Sequence, residues 1–397
     1  MEDHEAQELE FWRKLEESEM SRSQMLKRSV AAAAGLTVLG SGGSAWASRL
    51  AAGAAPPLKG SSISIKELVA EAKKEGNHLN TIALPPDWAN YGEMMSTFTK
   101  KYGIGITNDN PDGSSAQENE AVRSLKGDSR APDAVDDGPA FAISGTQEGL
   151  FARYLNSNFG TIPRAMKDTR GYWVGDYWGA ISIGYNSNII KTAPKTWKDL
   201  LNSDYKGKVA LNGSPLTSGS AVAGVFSAAL ANGGSLGNVG PGVDFFAQLK
   251  SSGNFIPVQS TPQTVASGQT PISIDWDYLN LAYVKEFPAA GWKVTVPSDG
   301  VYGAYYAQAI NATAPHPWTA RLWQEFMYSD QGQLIWLKGF SHPARFADMS
   351  KRKVVPKSLL AALPAAGIYA KVKFASSGQQ TAAKAVIASQ WPSKVGA

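Results

Sequence analysis

The run Leu79-Asn80-Thr81-Ile82-Ala83-Leu84, halted by Pro85-Pro86-Asp87-Trp88, decides how this chain folds. It is a short apolar strand that two prolines end, and residues 89–102 behind it carry helical spacing. Residues 104–108 read as a second strand. Gly113-Ser114-Ser115 then opens a helix over 116–126, and Ala134-Val135 makes a third, brief strand ending at a turn, Asp136-Asp137. Strand, helix, strand, helix, strand is the rhythm of a parallel sheet with crossover helices. Such sheets hold ligands at the carboxyl ends of their strands. Those ends carry Trp88, Asn108, Ser114 and Asp136.

Further along, residues 173–185 are aromatic and glycine-rich and end in the alternating Ile181-Ser182-Ile183-Gly184-Tyr185-Asn186. This segment is expected to cross between two domains. The pattern then restarts. Thr196 caps a short helix, 208–211 is a strand, 212–219 a polar loop, and 220–230 and 243–250 are helices. The strand 271–275 leads into Trp276-Asp277-Tyr278, and 292–297 is a strand again. Residues 301–310 are expected to recross, followed by helices over 317–328 and 330–338 and a helical tail packed outside. The expectation is an α/β protein of two lobes with two hinge-crossing strands: 48–180 in lobe 1, 181–300 in lobe 2, and 301–397 returning to lobe 1.

Residues 1–47 are set apart as an N-terminal extension and export signal. Lys27 and Arg28 supply the basic front, residues 29–40 a short apolar centre, and Ala45-Trp46-Ala47 the small residues a peptidase needs, with the cut expected after Ala47. Ser21-Arg22-Ser23 resembles a twin-arginine signal, but Ser23 stands where the second arginine belongs, so a Tat-like and a Sec route both stay open. The chain has no cysteine, which excludes disulfides, thiolate chemistry, cysteine metal sites and a lipid anchor of the lipoprotein kind. Free diffusion in a periplasm fits that composition. Without residues 1–47, acidic residues fall from 34 to 26 and basic residues from 38 to 33, a net charge of about +7. No block of lysine and arginine marks a nucleic-acid site; Lys351-Arg352-Lys353 is the densest and reads as a solvated face.

Several segments in this order resemble one family. Thr196-Trp197, Asp199-Leu200-Leu201 and Lys206-Gly207-Lys208-Val209 look like the opening of its second domain. Pro215 with Ser218-Gly219 looks like its ligand loop, and Ala314-Pro315-His316-Pro317 with Phe326, Ser329, Gly332 and Gln333 like its C-terminal helical pair. The family is the bacterial extracellular solute-binding proteins of ABC importers, with the two-lobed type II periplasmic-binding-protein fold. The resemblance implies a cleft that closes on a small-molecule solute, and a membrane permease as partner. It implies no catalysis, cofactor, metal or nucleic acid, and a monomer is expected.

Two signals bear on the solute. Ser114-Ser115 and Thr217-Ser218-Gly219 each precede a helix, one per lobe. Helix starts carry unpaired N–H groups and partial positive charge, so these loops suit an anion or a ligand oxygen, or serve only as caps. Against that, Trp88, Tyr177, Trp178, Trp276, Tyr278, Tyr302, Tyr305 and Tyr306 fall near strand ends or crossings, as do the carboxylates Asp136, Asp137, Asp275, Asp277 and Asp299; of these Trp88, Trp178, Trp276, Tyr302, Tyr305, Asp136 and Asp277 are the chosen site candidates. Aromatic faces next to carboxylates suit an amine cation, and no arginine stands among these positions. An amine-bearing, polyamine-like solute is favoured; a phosphonate, phosphate ester or carboxylate is the alternative. Iron fits poorly: family members that bind it use adjacent tyrosines at a loop that here reads Asp275-Trp276-Asp277-Tyr278. The four histidines form no recognisable catalytic motif, so an exported enzyme or a sensor partner is a lesser reading.

Overall fold

A computed structural model describes residues 56–396 apart from 365 and 370. The export reading of residues 1–47 lies outside the described residues. Among the described residues ten strands follow one another: β1 (His78–Ile82), β2 (Gly105–Asp109), β3 (Ala134–Asp137), β4 (Phe151–Ala152), β5 (Trp173–Asn186), β6 (Val209–Leu211), β7 (Ile272–Trp276), β8 (Trp292–Thr295), β9 (Gly303–Asn311) and β10 (His342–Pro343). The fold is the expected α/β, two-lobed one.

In the first lobe β1 and β2 pair in parallel, Leu79 opposite Ile106. The helix Tyr91–Tyr102 joins them and ends at Gly103, whose φ of 68° lets the chain turn back toward β2. The expected three-stranded parallel sheet does not form. β3 pairs antiparallel with β9 instead. The side chain of Asp133 accepts the Asn80 N–H at 2.7 Å, so a carboxylate stands where a ladder between β1 and β3 would begin. Asp136 and Asp137 lie inside β3 and are buried, which corrects their reading as a turn.

β5 is the long element that links the lobes. From Trp173 to Ala180 it pairs with β9, and from Ile181 to Tyr185 with β7. β7 in turn pairs in parallel with β6. All fourteen residues of β5 are buried, as a strand covered on both faces requires. The helices Pro317–Met327 and Asp330–Lys338 return to the first lobe, where Trp323 meets Phe98 and Trp336 meets Tyr91 edge to face. Glu75 accepts from the N–H groups of Trp318 and Thr319, capping the first of these helices from a distant part of the chain.

The tail does more than pack outside. Its helix, Ser377–Lys394, starts at the crossing, where Gln380 donates to the Tyr302 hydroxyl at 2.8 Å. It then runs along the first lobe, where Lys384 donates to Ser144 at 3.0 Å. It ends on the second lobe, with Trp391 against Phe246 and Lys394 paired to Asp244 at 2.6 Å. One helix therefore straddles both lobes.

Candidate functional site

The carboxyl end of β1 leads into a loop in which Ala83, Ala89 and Asn90 all have positive φ, at 57°, 47° and 71°. Non-glycine residues adopt that conformation only when their surroundings hold them there. Here Asn108 brackets Leu84, donating to its carbonyl at 2.7 Å, and Asn90 donates to the Ile335 carbonyl at 3.2 Å. The loop so held presents Trp88, whose indole N–H donates to the Tyr177 hydroxyl at 2.8 Å. That hydroxyl donates to Asp136 Oδ2 at 3.1 Å, and the Tyr91 hydroxyl donates to the same oxygen at 2.7 Å. Tyr306 stacks on Tyr177, with ring centroids 5.8 Å apart, and receives the edge of Trp88 at 5.5 Å. The result is a carboxylate set among four aromatic rings. Its other oxygen, Oδ1, is buried with no hydrogen-bond partner.

A second carboxyl, Glu118, accepts the Asp136 backbone N–H at 2.7 Å. It sits three residues after Ser115 on the helix Ser115–Ser124, hence on the same face. Across the gap, the helix Gly219–Ala231 starts from Ser218, whose side chain caps the Ala221 N–H. Thr217 accepts the Ala116 N–H at 3.3 Å, so the two lobes bond to each other directly. Gly138 and Gly219 meet backbone to backbone: a Cβ placed on Gly138 would lie 2.8 Å from the Gly219 Cα. Asn212, at the end of β6, donates to Asp275 at 2.6 Å and accepts through its carbonyl from Ser218 and Ser220.

Between these elements lies a cavity of about 180 Å³. That is room for about six waters at liquid density or a small organic molecule. Its walls carry the carboxyls of Asp87, Asp112, Glu118 and Asp136 and, among the described residues, no lysine, arginine or histidine. Burial is the main cause that raises the Asp136 carboxyl from 3.8 to about 7, against hydrogen bonds from Tyr91 and Tyr177 that lower it. Burial likewise pushes Glu118 well up, and the neighbouring charges of Asp137 and Asp136 add to the shift. Asp136 is thus poised to ionise when a positive charge arrives.

A carboxyl raised in the folded state favours folding fully below its ordinary value, and that contribution is lost as pH rises through about 7. The unliganded protein should lose stability from this group between pH 4 and 7, by at most about 1.4 kcal/mol per pH unit. Asp136→Asn should remove that portion of the slope in urea melts.

Of the residues picked out in the sequence, Trp88, Ser114, Ser115, Asp136, Thr217 and Ser218 line this one cavity. The other five lie off it. Trp178 is buried, stacked on His342 with centroids 4.1 Å apart, and Tyr305 on Trp173 at 5.9 Å. These two face each other in the β5–β9 ladder, whose register shifts between Gly175 and Trp178. Tyr306 lines the cavity instead, with Tyr177 buried and stacked on it. Tyr302 stacks on Phe226, and Trp276 lies buried behind Tyr306. Asp277 is fully buried and accepts from Ala180 N–H at 3.0 Å, Tyr278 N–H at 2.9 Å and the Tyr369 hydroxyl at 2.5 Å. Those three donors make it a brace at the crossing, not a hand for a solute. Asp277→Ala should lower the urea unfolding free energy by about 1–3 kcal/mol through the donors left unpaired.

Sequence reading missed Glu118, Tyr91 and Asp112, and named Tyr306 only among the aromatics near crossings without choosing it for the site. Helical spacing from Ser115 was the available signal for Glu118, and strand alternation beside Tyr305 for Tyr306. Tyr305 and Tyr306 point to opposite faces and do not form a shared pair for one metal ion. No cluster of metal-ligating side chains occurs among the described residues.

Residues 139–370 match the model of a family described as bacterial extracellular solute-binding protein. No curated protein sequence matches the chain. Among solved structures, the periplasmic binding protein AfuA from Actinobacillus pleuropneumoniae, with fructose-6-phosphate bound, is 18% identical over 80% of this chain and 98% of its own, at a TM-score of 0.64. AgtB from A. tumefaciens R10, in complex with agropinic acid, is 12% identical over 80% and 98%, at 0.63. Iron-bound HitA from Pseudomonas aeruginosa is 18% identical over 78% and 97%, at 0.57. At these identities the likeness is one of fold.

Proposed function

Because the chain belongs to the family of bacterial extracellular solute-binding proteins, the non-enzymatic receptors of ABC importers, we propose that the solute it delivers to its permease is a small organic amine. The observation that carries this reading is Asp136 Oδ1, buried and unpartnered among Tyr91, Tyr177, Trp88 and Tyr306. An ammonium group there gains a charge-assisted hydrogen bond and cation–π contact with the flanking rings. The walls supply four carboxyls and, among the described residues, no cationic side chain, which disfavours a solute that is only an anion. Polyamine-like molecules are the first class to screen. A phosphonate, phosphate ester or carboxylate remains the second reading, supported by the two helix starts at the cavity.

On this reading the protein works as a periplasmic monomer whose lobes close on the solute and expel water, which strengthens each polar contact. A thermal-shift screen tests it. An amine at a thousandfold over its Kd should stabilise the folded protein by about 4 kcal/mol. A screen in which phosphonates or carboxylates raise the Tm and no amine does would overturn the reading.

A further inference from the structure

We propose that the helix Ser377–Lys394 is a clasp: docked on both lobes at once, it biases them toward the closed arrangement and so sets solute affinity from outside the cavity. The family match ends at residue 370, so this helix lies beyond the matched segment. It begins with a capping box in which Ser376 and Gln379 satisfy each other's N–H groups. Its buried residues, Gln380, Ala383, Ile387 and Trp391, recur every three or four positions and form one stripe. The lobes share that stripe. Near its start Gln380 bonds Tyr302, and Lys384 sets its ammonium over the Phe141 ring at 4.2 Å while donating to Ser144 on the helix Pro139–Gln147. From Lys384 to Trp391 is about 10 Å along a helix. There Trp391 packs on Phe246 and Phe255 of the second lobe, with centroids 5.3 and 6.5 Å away, and Lys394 reaches Asp244. None of these partners lines the solute cavity, so the clasp acts with or without a solute.

The two ends are not equally held. Just before the helix, the backbone of Lys373 bonds Val301 and Gly303 at 3.2 and 3.1 Å, which fixes its start to the crossing. The second-lobe end contains Pro392, which lacks the N–H that would bond the Ala388 carbonyl. The ion pair there is exposed, with side chains 39% and 61% open to water, so Trp391 is the main hold. Opening the cleft peels Trp391 off Phe246 while the rest of the helix stays with the first lobe. Apparent affinity scales with the fraction of molecules that are competent to bind. Losing this hold therefore weakens binding of any solute, whatever its charge.

Hydrogen exchange reads the clasp without a solute. The Ala116 N–H lies in the first turn of the helix Ser115–Ser124, where it has no intrahelical carbonyl to meet. Its acceptor is the Thr217 carbonyl across the cleft at 3.3 Å, so it exchanges when the lobes part. In the solute-free full chain, Trp391→Ala should speed exchange at Ala116 by about tenfold and leave amides inside β5 near their unaltered rates. Lys394→Glu, which sets a like charge against Asp244, should speed it by about twofold, and adding Asp244→Lys should restore it. Equal rates at Ala116 in a folded Trp391→Ala protein, or an Ala116 amide that already exchanges freely in the unaltered chain, overturn the clasp. So does a rise shared by β5, which would make the helix a part of the core and nothing more. Should Trp391→Ala not fold, the charge reversal and its restoration decide, and no change at Ala116 in Lys394→Glu then overturns the proposal.

Discussion

Replacing Asp136 by alanine should cut the affinity for an amine by about two to three orders of magnitude, corresponding to about 3–4 kcal/mol. Asp136 is almost wholly removed from water, and burial alone accounts for most of the rise of its carboxyl to about 7. A cation that ionises it recovers a Coulomb attraction in surroundings where water screens little. Without the carboxylate, the cation would enter a cavity ringed by aromatic faces and the hydroxyls of Tyr91 and Tyr177, with only the less favourably placed Glu118 behind. The variant is expected to fold, since it relieves a buried acid, and its unliganded stability should rise above pH 7. The same linkage makes amine binding in the unaltered protein weaken below about pH 7, as protonated Asp136 must give up its proton to bind. Unchanged amine affinity in titrations of Asp136→Ala would remove this carboxylate from the solute's surroundings.

The second large effect concerns closure. Gly138→Val should weaken solute binding by about tenfold to a hundredfold while leaving both lobes folded. The backbone at Gly138 has φ −58° and ψ 147°, which valine adopts without strain. Its N–H bond to Ser115 does not involve the side chain. The one close neighbour of an added Cβ is the Gly219 Cα at 2.8 Å, and the next, Ser115 Oγ, is at 3.7 Å. The added volume therefore presses on the opposite lobe alone. Overpacking at such a contact costs about 1–3 kcal/mol, and opening the cleft relieves it. Small-angle scattering should show the variant wider than the unaltered protein in saturating solute, with near-identical urea midpoints when both are unliganded. A variant that compacts with solute as the unaltered protein does would show that this contact is not part of closure.

Much of the architecture was readable from local pattern. Pro85-Pro86 ends a strand, Ser114 and Ser218 cap helices, and the alternation from Ile181 to Asn186 marks the strand that crosses the lobes. These signals act over a few residues, so neighbours in the chain suffice to read them. The same logic placed Trp88, Ser114, Ser115, Thr217 and Ser218 at strand ends and helix starts, and they line one cavity. It failed where facing mattered. Trp178 and Tyr305 were chosen over Tyr177 and Tyr306, one residue away in each strand. Alternation along β9 turns Tyr306 to the cavity, and a shift of register in β5 seats Tyr177 against it; no residue type announces either. Asp277 was chosen over Glu118 for a related reason: a carboxylate braced by three donors and one left open are the same letter in a sequence.

What the sequence alone determined is the order of elements, the two-lobed plan and the loops that head helices, because caps, breakers and periodicity are short-range physics. What only the tertiary structure decided is which carboxyls are buried together, which rings surround Asp136 and how closely the lobes meet at Gly138 and Gly219. Those depend on residues far apart in the chain, such as Tyr91, Asp136, Tyr177 and Tyr306, whose desolvation and hydrogen bonds exist only once the sheets have been assembled.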